Sequence, residues 1–239
     1  MYIFKAAVVG AGTMGGGLAQ LISYSGLPVV LKDVDQAMLD KGIETVRRIY
    51  QSRVDKGKMS TGEAESKISL VEPTLTYDGF SDVDIVIEAV PEKMKVKKAV
   101  LAELDAVLPE TAIIASNTSA LSISEMAAAT KRPAKVIGMH FFNPAHVMKL
   151  VEVIPGLDTT QETIDDVVMF AESLRKLPVI VAECPGFLVN RLFMAYLNEA
   201  AFCLEERAAT APEMDAAIVE WGMPMGPFTL TDMLGIAVC

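Results

Sequence analysis

Short, almost wholly apolar runs alternate along most of this chain with longer segments whose apolar residues recur at helical spacing. The apolar runs are Lys5 to Val9, Pro28 to Leu31, Leu70 to Thr76, Asp84 to Ala89, Ala112 to Ala115, Lys135 to Phe141, Lys149 to Ile154 and Leu177 to Ala182. Runs this short and this apolar predict buried strands of a parallel sheet. Between them, Gly15 to Ser25 reads as a helix of small residues stopped by Gly26, and Gln36 to Lys56 as a long helix. In the long helix Met38, Leu39, Ile43, Val46, Ile49 and Tyr50 fall on one face. Lys56-Gly57-Lys58 ends it, and Thr61 to Ile68 returns as a shorter helix. Lys95 to Val107 and Thr160 to Arg175 supply two more. Strand and helix in alternation predict an α/β fold with a doubly wound, mostly parallel sheet, carrying a helical hairpin insertion.

The pattern changes at Cys184-Pro185-Gly186. From Phe187 to Arg207 the chain reads as one long helix, Pro212 to Trp221 as a second, and Gly226-Pro227-Phe228 as the start of a third. The expected organisation is therefore one sheet domain over residues 1–184 and a smaller all-helical domain over 185–239. That second domain reads as incomplete, with apolar faces on the Phe187 helix and near Trp221 left to associate.

Composition narrows the class. Apolar residues make up 51% and charged residues 22% of the 239, enough for a sizeable core. A net charge of −10 argues against nucleic acid as a partner. Cys184, Cys203 and Cys239 lie too far apart for a metal site, and their odd number suggests reduced thiols in a reducing compartment. Neither a leader peptide nor an apolar run near the ~20 residues of a membrane span is expected, so a cytoplasmic protein is the default.

Gly10, Gly12 and Gly15 form G-x-G-x-x-G between the first strand and the first helix. In that setting the first glycine makes the tight turn, the second admits a pyrophosphate, and the third lets the helix pack on the sheet. The helix start then offers free N–H groups to phosphate. Asp33 closes the second strand, about 20 residues on, where a carboxylate meets adenosine ribose hydroxyls. No arginine follows to hold an extra phosphate, which favours NAD over NADP. The same Asp33 is also placed to cap the helix beginning near Gln36.

His140 ends an apolar strand, at the edge where doubly wound sheets bind ligands. Glu152 sits inside the apolar run Leu150 to Ile154, where an unpaired carboxylate is costly. A strand, turn and strand would return Glu152 against His140 and make an acid/base pair. His146, in the intervening turn, is expected to be exposed. Ser119 follows a strand and is placed either to cap a short helix or to act in the site, while Asn117 is placed to close a turn. Asn190 is polar on an apolar stretch, one turn into the Phe187 helix.

Taken in order, G-A-G-T-M-G, S-N-T-S, H-F-F-N-P, M-K-L-V-E-V, P-G-F-L-V-N-R and P-M-G-P-F resemble the L-3-hydroxyacyl-CoA dehydrogenase family, in particular its short-chain 3-hydroxybutyryl-CoA members. The resemblance implies a Rossmann-type domain and NAD-linked oxidation of 3-hydroxyacyl-CoA to 3-ketoacyl-CoA, or the reverse, in fatty-acid or butanoate metabolism. It makes His140 the acid/base and Glu152 its orienting carboxylate, with Ser119 and Asn190 on the substrate oxygen. Glu92, Lys97 and Asn117 match positions beside the nicotinamide, and Asn143 matches the substrate pocket. Arg53 and Lys56 lie on the hairpin that matches the CoA seat. Family members usually continue for several more helices that build a dimer, so a homodimer is expected only if the helices present suffice. No metal is implied.

Overall fold

In the computed structural model, which describes residues 2–235, eight strands form one sheet in the order β3-β2-β1-β4-β5-β6-β7-β8. They are β1 (Ala6–Val9), β2 (Val29–Lys32), β3 (Val71–Thr74), β4 (Ile85–Glu88), β5 (Ile113–Ser116), β6 (Val136–Phe141), β7 (Leu150–Pro155) and β8 (Leu177–Ile180). The first six run parallel; β7 reverses against β6, and β8 follows β7 in parallel.

Each central strand buries alternate residues on opposite faces of the sheet. In β1, Ala6 and Val8 join one apolar cluster while Ala7 and Val9 join the other. In β4 the split is Ile85 and Ile87 against Val86. Burial on both faces is why these strands read as continuous apolar runs. Helices α1 (Gly15–Tyr24), α2 (Gln36–Asp55), α3 (Thr61–Ile68), α4 (Met94–Val107), α5 (Ile123–Ala127) and α6 (Gln161–Ser173) complete this part of the chain. Sequence-readable caps start several of them. The Asp35 side chain accepts from Ala37 and Met38 N–H at the start of α2, and Ser60 and Thr160 serve α3 and α6 in the same way.

The chain divides into two compact units, one ending at Phe187 and the other beginning at Leu188. The second holds α7 (Val189–Glu205), α8 (Ala211–Trp221) and α9 (Pro227–Leu234). Several boundaries shift from expectation by one or more residues. α7 begins at Val189 because Phe187 has a positive φ of 47°, which interrupts the helix, so Asn190 is its second residue rather than one turn in. The eighth strand stops at Ile180. Among the described residues no helix is long and apolar enough to cross a membrane, and no cluster of three or more His, Cys, Asp or Glu is arranged to hold a metal ion. Cys184 and Cys203 are free thiols, and Cys239 lies outside the described residues.

Candidate active site

The carboxyl ends of β1, β2, β4, β5 and β6 lie side by side along one edge of the sheet, and the residues singled out from sequence collect there. The glycine turn comes first. Gly10 has φ +100°, and a Cβ at Gly15 would lie 1.7 Å from the Gly10 carbonyl oxygen, so any side chain there would break the turn. A Cβ on Gly12 would meet only the Met38 methyl group at 3.5 Å, which leaves the loop's outer surface approachable. α1 starts at Gly15 with no side-chain cap, so its first N–H groups remain available to an anion.

Asp33 does not cap α2; Asp35 does. Asp33 Oδ2 instead accepts from Ala11 N–H at 2.7 Å, and Oδ1 accepts from Val34 and Asp35 N–H at 2.7 and 3.2 Å. The carboxylate thus ties the end of β2 to the glycine turn. An approachable glycine turn, an uncapped helix start and a carboxylate beside them fit a dinucleotide.

At the other side of the same edge, β6 and β7 pair antiparallel with His140 directly opposite Glu152. His140 Nδ1 and Glu152 Oε2 are 2.8 Å apart, with Glu152 fully buried and His140 only 5% exposed. The reversal of β7 after a short turn creates this pair, since facing residues of adjacent strands are neighbours. Phe142 and Phe187 flank the imidazole, ring centroids 4.6 and 5.8 Å away. Asn117 leaves the end of β5 and accepts the Phe141 N–H on its Oδ1 at 2.9 Å, so it braces the residue next to His140.

Ser119 is exposed and does not cap a helix; Ser122 caps α5 by accepting from Glu125 N–H at 3.1 Å. The Ser119 N–H is held at 2.8 Å by Glu92 Oε1, which also receives the Thr118 hydroxyl. Burial alone would raise the Glu92 carboxyl, but the Thr118 hydroxyl, the charge of Lys97 and the Ser119 N–H outweigh it and hold it below the usual carboxylate range. Lys97 is buried, bonded to Glu88 Oε1 at 2.8 Å and paired with Glu92 Oε2 at 3.2 Å.

Arg53 lies on α2 with its guanidinium 4.3 Å from the Tyr24 ring centroid and bonded to the Tyr24 hydroxyl at 2.7 Å. It lines a cleft of about 610 Å³ together with Arg48, Lys56, Lys58, Asn143 and His146. Here the structure corrects one expectation: His146 is half-buried, not exposed, and its Nδ1 is buried with no hydrogen-bond partner. Burial first, then the charges of Lys176, Arg53 and Arg48, push its imidazole below the ordinary histidine range. Asn190 belongs to α7 in the second unit, half-buried.

Three supporting residues escape the sequence reading. Glu88, at the end of β4, is fully buried and carries the same signal that marked Glu152, a carboxylate in an otherwise apolar strand. Lys176 is buried and donates to the Ala145 and Met148 carbonyls at 2.5 and 2.8 Å, pinning the turn between β6 and β7. Glu183 receives the Ser122 and Ser124 hydroxyls and the Ser124 N–H, fastening the chain after β8 to the start of α5. Nothing local in the sequence announces either of these partners.

Sheet order, glycine turn and edge carboxylate together define a dinucleotide-binding protein of the Rossmann type. The chain belongs to the 3-hydroxyacyl-CoA dehydrogenase family: residues 5–184 match that family's NAD binding domain and 186–239 its C-terminal domain. NAD is accordingly the cofactor. The chain is 42% identical over 232 residues to the fatty acid oxidation complex subunit alpha of Acinetobacter baylyi, covering 97% of this chain and 32% of that protein. The corresponding subunit of Idiomarina loihiensis is 45% identical over 98% of this chain and 33% of its own length. The chain thus spans about a third of the length of these curated relatives. Among solved structures, (S)-3-hydroxybutyryl-CoA dehydrogenase PaaH1 from Ralstonia eutropha superposes with a TM-score of 0.95 at 39% identity, over 99% of this chain and 84% of that one. FadB2 of M. tuberculosis gives 0.96 at 36% identity, over 100% and 85%.

Proposed function

We propose that the chain interconverts L-3-hydroxyacyl-CoA and 3-ketoacyl-CoA with NAD, on short acyl chains of the 3-hydroxybutyryl type, within fatty-acid or butanoate metabolism. The observation that carries this reading is the buried His140–Glu152 pair, 2.8 Å apart at the carboxyl edge of the sheet. The cofactor supplies a hydride acceptor for the C3 hydrogen of the substrate. His140 takes the hydroxyl proton on Nε2 as the alcohol is oxidised and returns it in the reverse direction. Glu152 holds Nδ1, which fixes the tautomer that leaves Nε2 a base, and it stabilises the imidazolium once formed. The Ser119 hydroxyl, on a loop fixed by Glu92, holds the substrate oxygen; the family resemblance adds Asn190 to that oxygen and Asn143 to the pocket.

The cationic cleft lined by Arg48, Arg53, Lys56 and Lys58 supports a seat for the phosphate-bearing CoA tail on a chain that is acidic as a whole. The free thiols Cys184 and Cys203 support a reducing, cytoplasmic setting.

The test is NADH oxidation driven by acetoacetyl-CoA. His140→Ala is expected to lower kcat by roughly 10²- to 10⁴-fold, the range of general acid/base catalysis. Glu152→Gln is expected to lose about 1.5–3 kcal/mol, the worth of a charge-assisted hydrogen bond, or roughly ten- to a hundredfold in kcat. Turnover of free 3-ketoacids with none of the thioester would overturn the substrate class. An unaltered kcat in His140→Ala would overturn the mechanism.

A further inference from the structure

The reaction above leaves the buried Glu88 without a task. Glu88, at the end of β4, is 0% exposed, and its side-chain oxygens are met by donors alone. Oε1 accepts from Lys97 Nζ at 2.8 Å and from Val90 N–H at 2.7 Å, and Oε2 accepts the Ser116 hydroxyl at 2.6 Å. That is the environment of an ionised carboxylate. Lys97 is 1% exposed and donates in addition to the Val90 carbonyl at 3.2 Å. On its other side stands Glu92 Oε2, also at 3.2 Å, with the Glu92 side chain 43% exposed towards the edge of the sheet.

The three charges are therefore layered: Glu88 at the bottom, Lys97 in the middle, Glu92 at the surface. An apolar strand end is an expensive place for two buried charges, and a neutral pair of residues would fill it as well. The layering has one electrostatic result. If Lys97 faced Glu92 alone, the two would cancel; because Glu88 already neutralises Lys97 from beneath, the cluster carries one net negative charge, located on the carboxylate that faces outwards.

We propose that Glu88 is a positioning residue for the nicotinamide end of the cofactor site, which leaves Glu92 electrostatically uncompensated so that the cluster favours the cationic oxidised nicotinamide over the neutral reduced one. This rests on the reading that places Glu92, Lys97 and Asn117 beside the nicotinamide, with Lys97, 1% exposed, beneath Glu92. An anion discriminates between two ligands that differ by one positive charge, because only the oxidised ring gains Coulomb energy from it. The same carboxylate fixes the Ser119 loop, so charge and loop geometry are set by one residue.

The experiment is calorimetric titration of the intact chain with NAD+ and with NADH, separately, in the parent, in Glu88→Gln and in the double variant Glu88→Gln/Lys97→Met. Glu88→Gln makes the cluster neutral, so Kd for NAD+ is expected to rise roughly threefold to fivefold, the scale of a partly solvated charge pair, while Kd for NADH stays nearly unchanged. The double variant removes one charge of each sign and restores the single negative charge on Glu92, so the NAD+/NADH preference is expected to return to that of the parent. A purely structural role would raise both Kd values together and leave their ratio alone, and that result overturns the proposal, as does a double variant whose ratio fails to recover. Should Glu88→Gln not fold, Glu92→Gln, at the surface, neutralises the cluster in its place and is expected to give the same loss of preference. The measurement is independent of turnover. An enzyme inactive on acetoacetyl-CoA whose ratios behave as expected overturns the proposed activity alone; an active enzyme whose ratio is insensitive to Glu88 overturns this inference alone.

Discussion

At the scale of single residues, the two histidines occupy opposite electrostatic settings. His140 has a carboxylate at 2.8 Å, whereas His146 faces Lys176, Arg53 and Arg48 and is held below its usual range by burial and by those charges. In the unfolded chain an imidazole titrates near pH 6.5. As pH falls through that value the unfolded chain takes up a proton that the folded one resists, so the His146 contribution to stability is present above it and lost below. Urea unfolding of the parent between about pH 7 and pH 5 is therefore expected to lose stability more steeply than that of His146→Gln, where a non-titrating amide replaces the ring. Equal slopes would contradict the assignment. The sequence exposed one histidine's burial and hid the other's for a physical reason. His140 lies on a strand whose apolar neighbours declare its burial. His146 lies in a turn, and its surroundings are assembled from α2 and from the chain before β8, which no local pattern reveals. Glu88 is a different case: its signal stood in the open beside Ile85, Val86 and Ile87, but its partner Lys97 comes from α4 and only the fold joins them.

At the scale of elements, the central strands were legible because each is apolar on both faces, and α2 was legible because Leu39, Val46, Ile49 and Tyr50 form one buried stripe. Pairing was legible only in part. The turn between two apolar runs gave the return of Glu152 against His140, but not the order of the remaining strands, and the five-residue α5 is too short to show a period. Close packing between elements was only partly visible. Gly42 of α2 lies against the glycine turn: a Cβ there would be 2.9 Å from Ala11 Cβ, 3.0 Å from the Ala11 oxygen and 3.1 Å from Leu31 Cδ2. Two effects compete in Gly42→Ala. Helix propensity gains about 1 kcal/mol, while overpacking against rigid neighbours costs about 1–3 kcal/mol. Two of the three contacts are to an alanine that cannot rotate away, so the cost is expected to win, with α2 displaced from the turn. A lowered Tm together with a raised Kd for NADH is the expected result; a higher Tm with unchanged binding would show that α2 yields freely.

At the scale of the whole molecule, the two units differ in how they use apolar residues. Among the described residues after Phe187, only Gly226 and Pro227 are buried. The 17 residues of α7 include none that is buried, and Leu192, Phe202, Met233 and Trp221 are 68%, 47%, 64% and 80% exposed. Single exposed apolar residues are ordinary on a protein surface, but an amphipathic helix whose best-covered face is only half-buried is not. Such surface is expected to drive self-association as the concentration rises, which is the basis on which a homodimer is proposed for this chain. Trp221 is the only tryptophan, so its fluorescence reports from the second unit alone. Sedimentation at increasing concentration is expected to show a growing dimer fraction, and the indole emission is expected to move to shorter wavelength in step with it if α8 lies in the contact. Dimer formation with an unmoved emission would place the contact away from Trp221, on the α7 side. A chain that stays monomeric throughout, with the emission of a fully solvated indole, would mean that the charged residues interspersed along α7 and α8, among them Arg191, Glu199 and Glu220, suffice to keep these helices apart.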